Sequence, residues 1–359
     1  MSKFINIHMI QSIPVNCVNR DDLGNIKTAI FGGAVRQRIS SQCWKRQIRE
    51  ELEKTTDLSW RSIKLPQKLY DILIKEKKIP PQEALKKVGE VFTRTNGKSK
   101  NKVGINIKNS KKTWEEILKG GLNKDDVLVT KVLYFLSKAE FEDLIEVCVK
   151  EEKKNINEIL SDSKERYGAS IALFGRMMAD HTDLNVPAAS SFSHAITTHE
   201  IAQESDYFTA MDDLNTESGA GHLDQTSFSC GTFYRHIALD IDTLKENLSL
   251  SEGDISELSG KFIEACIKAF PKGKKSSFLS NTLPAKIIID ITPLPISMAN
   301  AFEEPIVSSN GFIERSIEAL KSHRALLINE GYTVERSLET LSIEEASKFV
   351  KGSFIPKEN

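Results

Sequence analysis

The chain has 359 residues, 40% of them apolar and 28% charged, with 49 Lys/Arg against 50 Asp/Glu for a net charge of −1. That composition fits a folded globular protein of two domains, or of one domain with a large insertion, and no apolar run reaches the length of a membrane span. The charge balance argues against a uniformly basic nucleic-acid coat. Five cysteines in no C-x-x-C spacing, behind an N-terminus without a signal-peptide pattern, argue against a disulfide or zinc framework and for a cytoplasmic setting.

Phe4–Ile13 alternates and meets Pro14, which predicts a first strand. Residues 14–33 are rich in Asn, Asp and Gly and are expected to form a loop closing on Gly32-Gly33. Val35–Ile39 alternates again. Ser40-Ser41 are N-caps for a helix from Gln42 to about Lys54, with Trp44, Ile48 and Leu52 on one apolar stripe. From 58 to 180 the pattern predicts helices at 67–77, 81–92, 113–118, 124–137, 139–160 and 163–179, around a basic loop at 93–113. Residues 190–200 are strand-like, 201–225 irregular and acidic, and 226–241 a long strand; 254–270 is a helix, Lys286–Ile291 a buried strand and 313–330 a last helix. Without the helical block the order is β-α-β-β-α-β, the ferredoxin-like order used by RNA-recognition modules.

Charge is segregated along the chain. Residues 1–50 hold eight Lys/Arg against three acids, 93–112 hold seven Lys/Arg and no acid, and 177–234 hold nine acids and no Lys/Arg. The first block supplies Arg20, Lys27, Arg36, Arg38, Lys45, Arg46 and Arg49 around Ser40, Ser41 and Gln42. A helix start with hydroxyls, an amide and cations suits the phosphates of a polyanion. The plain alternative is a solvated basic helix face with ordinary capping, and charge alone favours it. The second block (Arg94, Lys98, Lys100, Lys102, Lys108, Lys111, Lys112) is either a solvated loop or a sequence-blind phosphate contact. In the acidic block, Tyr207, Phe208, Thr209 and Met211 can stack on or wedge between bases, or simply pack in a core. Asp206, Asp212, Asp213, Glu217 and Asp224 match no EF-hand spacing. There is no H-E-x-x-H, G-x-S-x-G or Walker loop, so no catalysis, cofactor or metal is expected.

Ten blocks in order carry a resemblance: FINIH (4–8), NRDD (19–22), AIFGG (29–33), RISSQ (38–42), IALFGRM (171–177), HAITTH (194–199), FTAMDDL (208–214), SCGTFYR (229–235), PLPISMANAFE (293–303) and GFIERSIEA (311–319). With them the chain resembles the CasC-type backbone subunits of the subtype I-E CRISPR Cascade complex, over residues 2 to about 320 and least well over 58–165. The resemblance implies an α+β fold: a modified ferredoxin-like, RNA-recognition-type palm with a helical fingers insertion and a thumb hairpin. It places the palm at 1–57, 181–200 and 232–359, the fingers at 58–180 and the thumb at 201–231. It implies a non-catalytic subunit that stacks head to tail along CRISPR RNA beside other Cascade subunits. The subunit kinks the guide at intervals and presents it to target DNA for antiviral defence. Arg20, Lys27, Arg38, Ser40, Gln42, Lys45 and Arg49 would hold the guide backbone, with Arg36, Arg46 and Arg176 beside them. Met177 would wedge at a displaced base, and Tyr207, Phe208, Thr209 and Met211 would lie on the thumb at the kink. Lys98, Lys100, Lys102, Lys150, Lys153 and Lys154 are candidate contacts to target DNA. Ala34 and Val35 stand where relatives carry more positive charge.

Two other readings remain at this stage. One is a metal-dependent nuclease of type III kind that cleaves target RNA with a thumb Asp. The other is a generic single-strand RNA-binding module. A basic palm and an acidic thumb make the protomer a dipole suited to head-to-tail association. Reversing Asp212→Lys and Asp213→Lys together is expected to weaken assembly, read by sedimentation, while leaving the thermal unfolding of the isolated chain unchanged.

Overall fold

The computed structural model describes residues 3–96, 99–162, 167–178, 182–211 and 220–354. Backbone proximity divides the chain into two units. Residues 1–52, 190–242 and 250–359 make the first, and 53–189 with 243–249 make the second. The described residues contain eleven α-helices and one large antiparallel sheet, a mixed α+β architecture.

The first unit is built on nine strands: β1 (Phe4–Asn16), β2 (Thr28–Phe31), β3 (Ala34–Ile39), β4 (Ser190–Phe192), β5 (Ala195–Thr197), β6 (Glu204–Met211), β7 (Ala220–Asp240), β8 (Lys286–Thr292) and β9 (Arg336–Thr340). Its helices are α1 (Ser41–Leu52), α2 (Glu252–Lys268), α3 (Ile313–Asn329) and α4 (Ile343–Lys351). The hydrogen-bonded order is β9-β8-β1-β7-β5-β3-β2, with β4 and β6 also on β7. β1 lies between β7 and β8, antiparallel to both, with His8 opposite His236 and Ile288. Ile5, Ile7 and Met9 point to one face and Asn6, His8 and Ile10 to the other; all six are buried, because both faces of the sheet are covered. One face carries α1 and α2. On the other, Ile10, Tyr234 and Ile288 pack with Met298 and Phe302 of the segment leading into α3 and with Leu320 of α3 itself.

Trp44, Gln47, Ile48 and Leu52 are the buried stripe of α1, and full burial of Ile48 and Leu52 contributes about 1.5–3 kcal/mol each. The expected loop at 14–33 is shorter than predicted. Thr28–Phe31 pairs with β3, and Gly32-Gly33 form a two-residue hairpin turn with φ +58° and +74°. Both turn positions need positive φ, and a Cβ on Gly32 would lie 1.5 Å from Glu303 O. The stretch expected to be irregular, 201–225, contains β6, which pairs with residues 220–228 of the 21-residue β7 as a two-stranded ribbon. The other half of β7 runs inside the sheet. β9 and α4 were not predicted: β9 pairs with β8, and α4 is capped by Ser342 and packs on α2.

In the second unit, 124–137 is not a helix. Its apolar runs are the strands Val127–Thr130 and Tyr134–Ser137, paired with Ile105–Lys108 and Ser59–Ser62. Short buried runs of this kind fit strand and helix equally by periodicity, and the partner strands decide. The helix expected at 139–160 breaks into Lys138–Lys150 and Ile156–Asp162 around Glu151, which has φ +59°. Of the helix expected at 163–179, Ala169–Phe174 is helical, while 163–166 and 179 lie outside the described residues. The basic 93–113 stretch contains the paired strands Thr93–Asn96 and Ser99–Val103 rather than an open loop.

A polar cluster is sealed in the first unit beneath α3. Met298 N–H donates to Tyr234 Oη (2.9 Å), which leaves the phenol to donate to His8 Nδ1 at 2.8 Å. His8 stacks on His236, ring centroids 4.7 Å apart, and His236 Nε2 donates to Asn6 Oδ1 at 2.9 Å. An accepting Nδ1 makes the His8 ring neutral. Burial holds His8 well below its ordinary pKa and His236 at about 4. An unfolded imidazole takes up a proton near pH 6.5, so this stabilisation is complete above pH 6.5 and lost as pH falls toward 4. Stability is expected to fall by up to about 1.4 kcal/mol per pH unit per histidine between about pH 6.5 and 5, above the carboxylate range, read by chemical denaturation. A His236→Asn variant should flatten that slope.

Candidate nucleic-acid interface

The basic block of the first unit converges on the start of α1. Ser40 is the N-cap: its Oγ accepts from Cys43 N–H (3.3 Å), and its own N–H donates to Asn19 Oδ1 at 2.8 Å. Asn19 O accepts from Lys27 N–H (2.9 Å), and Lys27 O accepts from Arg38 N–H (2.8 Å). Asp21, an acid within the basic block, is spent on its own loop: Oδ1 accepts from Leu23 N–H (3.0 Å) and Asn25 N–H (2.8 Å). The Arg20–Lys27 loop is thereby tied to the helix start. The first N–H groups of a helix have no intrahelical acceptor and carry a positive dipole end.

An open groove runs over this end, lined by Asn19, Ser40, Gln42, Arg46, Lys272 and Gly273. Gln42 and Arg20 are exposed, and Lys27, Lys45 and Arg49 are half-buried. Lys45 lies 5.2 Å over the Phe192 ring, and burial lowers its pKa. Arg46 is paired with Glu50 at 3.0 Å, and Lys272 reaches the same carboxylate at 2.5 Å. Partial burial pushes Glu50 up, but the hydrogen bonds from Lys272 and Arg46 outweigh it and hold the carboxyl below its usual range.

Two of the arginines expected in this interface belong elsewhere. Arg36 is fully buried; its guanidinium donates to Thr197 O (2.9 Å), Phe302 O (3.0 Å) and Glu303 O (3.3 Å). It points inward because it alternates with Val35, and it ties β3 to β5 and to the 302–303 segment. In the second unit Arg176 is buried against Glu140 at 2.6 Å, with Leu184 O at 3.1 Å and the Tyr167 ring beneath it. This arginine anchors its segment, so that the next residue, Met177, stands 85% exposed.

On the β6–β7 ribbon, Tyr207 is opposite Gln225, Phe208 opposite Asp224 and Thr209 opposite Leu223. Neighbours on a strand face opposite sides, so Tyr207 and Thr209 share one face and Phe208 lies on the other. Tyr207 is 67% exposed, and Lys274 sits 5.7 Å over the Phe208 ring. Met211 ends β6 opposite Ala220, and Asp212 and Asp213 lie outside the described residues. Lys100 and Lys102 fall in the strand Ser99–Val103, and Lys98 lies outside the described residues. Lys150 is paired with Glu146 and Lys154 with Asp162 (3.0 Å), while Lys153 is exposed.

Sequence reasoning missed Lys272 and Lys274, although the run PKGKKSS at 271–277 was a readable signal. What it could not show is proximity. A Cβ on Gly273 would lie 2.3 Å from Val18 O, so only glycine lets this lysine loop lie against the segment leading to Asn19. It also missed Arg235, which is nearly fully buried. Arg235 donates to Gln11 Oε1 (2.6 Å) and Cys266 O (2.9 Å), and its guanidinium lies 3.5 Å from the Trp44 ring centroid. Burial lowers its pKa to about 9. Among the described residues, no group of three or more His, Cys, Asp or Glu could hold a metal ion. No helix among them is long and apolar enough to cross a membrane.

A sheet-backed helix start, walled by cations on two loops, defines an α+β protein with a cation-lined surface. Residues 5–353 match the CT1975-like protein family, and the chain belongs to that Cas family. Among solved structures, a chain of a "CRISPR RNA-guided surveillance complex, pre-nicking" is similar over 98% of this chain and 99% of its own, with TM-score 0.82 and 27% identity. A chain of a "CRISPR RNA-guided surveillance complex" shares the fold with TM-score 0.73 at 24% identity, over 98% and 99%. Comparison with curated proteins gives no significant match.

Replacing Arg235 by Ala would strand Gln11 Oε1 and Cys266 O and empty the space under Trp44. It is expected to cost about 3–5 kcal/mol, read by urea unfolding, with Arg235→Met costing less.

Proposed function

We propose that this chain is a CasC-type backbone subunit of a subtype I-E Cascade: a non-catalytic, cytoplasmic protein that binds CRISPR RNA and stacks head to tail along it. The observation that carries this reading is the gathering of cations along α1: the Arg20–Lys27 loop tied to its start, Lys45 in its first turns, Arg49 in its last turn and Lys272 in the groove beside Asn19 and Ser40. Such a site grips phosphates without reading bases, which leaves sequence to base pairing between the guide and target DNA. Family membership and the similarity to a chain of an RNA-guided surveillance complex support the same assignment.

The strand order supports an RNA-recognition-type palm. Taking β1, β4/β5, β7 and β8 as the four strands, the spatial order β8-β1-β7-β4/β5 is 4-1-3-2, with α1 and α2 on one face, as in a ferredoxin-like unit. In this reading the β6–β7 ribbon is the thumb, residues 53–189 are the fingers, and Met177 and the exposed Tyr207 are apolar wedges at the guide's kinks. Lys150, Lys153 and Lys154 then meet target DNA, Lys150 and Lys154 by exchanging their carboxylate partners for phosphates.

The test is the triple variant Arg20→Ala/Lys45→Ala/Arg49→Ala, copurified with its sister subunits. Guide RNA affinity is expected to fall roughly 100-fold, with a shallower dependence on log salt of about 0.7 per contact removed. Particles that retain full RNA content would overturn the reading.

A further inference from the structure

One exposed histidine of the first unit stands apart from the buried ones. His194 lies in the two-residue break between β4 and β5, where the sheet edge approaches α1 and β3. Its Nδ1 is 2.9 Å from Arg38 Nη1. A guanidinium is always a donor, so Nδ1 must be the acceptor and the neutral ring carries its hydrogen on Nε2. Arg38 is held from a second side by Thr28 O, 3.5 Å from its Nε. Two residues before His194, Phe192 carries the Lys45 ammonium over its ring. The short 192–194 segment thus joins a cation of α1 to a cation of β3, and His194 is exposed between them.

We propose that His194 is a phosphate-binding residue of the RNA groove, orienting Arg38 through Nδ1 and donating to a phosphodiester oxygen through Nε2–H. The inference rests on the RNA-binding reading above and adds a residue to it. A half-buried arginine such as Arg38 loses less freedom on binding a phosphate when a neighbour already fixes its fork. The charged groups that face His194 are Arg38 and Lys27. Partial burial, then Arg38 and Lys27, keep its pKa below the ordinary histidine value in the empty groove. Phosphates neutralise those two cations and favour the imidazolium. Protonation turns Nδ1 from acceptor to donor, so the ring releases Arg38 to a phosphate and becomes a cation itself. RNA binding must then take up a proton, and affinity must rise as pH falls.

The test compares the full chain with His194→Asn, which keeps an acceptor near the Nδ1 position but does not titrate, and with His194→Ala. The probe is a labelled single-stranded oligouridine long enough for several copies, titrated at pH 7.5, 6.5 and 5.5. For the unaltered chain, affinity is expected to rise roughly threefold to tenfold from pH 7.5 to 5.5 beyond the change shown by His194→Asn. His194→Asn keeps the acceptor for Arg38 but lacks the Nε2–H donor, so it should bind a few-fold more weakly at pH 7.5 and lose the extra rise, and His194→Ala, which lacks both, should bind more weakly still at every pH. If the unaltered chain binds while His194→Asn keeps the same pH profile, or His194→Ala binds unchanged, the role of His194 is overturned. If the unaltered chain does not bind RNA at any of these pH values, the RNA-binding reading fails, and the inference with it.

Discussion

The site depends on one buried cation. Arg235 projects from β7 under α1, with its guanidinium against the Trp44 ring and its hydrogen bonds spent on Gln11 and on Cys266 O near the end of α2. A full charge this deep is tolerable only because an aromatic face and oriented oxygens replace its water. The arrangement couples β1, β7, α1 and α2 through one side chain. It fixes how α1 lies on the sheet, and therefore where its first turn and the cations on Lys45 and Arg49 are presented.

Two other buried arginines do related work. Arg36 and Arg176 are structural cations, each fixing backbone carbonyls so that a neighbour can be exposed: the β2–β3 hairpin in one case, Met177 in the other. Arg46 and Lys272 share Glu50, so that cluster carries a smaller net charge than a count of lysines and arginines suggests. A polyanion entering the groove competes with Glu50 for both. Pairing of this kind trades affinity for a groove that keeps its shape when empty.

The second unit shows where pattern reading reaches its limit. VLVT and YFLS at 127–130 and 134–137 are apolar on every residue or nearly so, and they become strands because Ile105–Lys108 and Ser59–Ser62 lie alongside. The capping boxes at Thr113/Glu116 and Ser137/Glu140 were readable in the sequence, and the helices they open begin there. The side chains of the β6–β7 ribbon illustrate the opposite limit. Tyr207, Phe208 and Thr209 read as one patch in sequence, yet strand geometry divides them between two faces.

What the sequence determined by itself is what local rules carry. Alternation defined β1, periodicity and a serine cap defined α1, β-branched residues defined β8, and ten ordered motifs pointed to the family. Tertiary structure alone decided which charges face water. Whether an arginine is a keystone or reaches the surface depends on what lies across from it, as Arg36 and Arg38 show two residues apart on one strand. It also decided that Lys272, 222 residues from Glu50 in the chain, lies alongside α1. That proximity arises from long-range strand pairing and from a glycine pressed against Val18 O, and no local propensity encodes it.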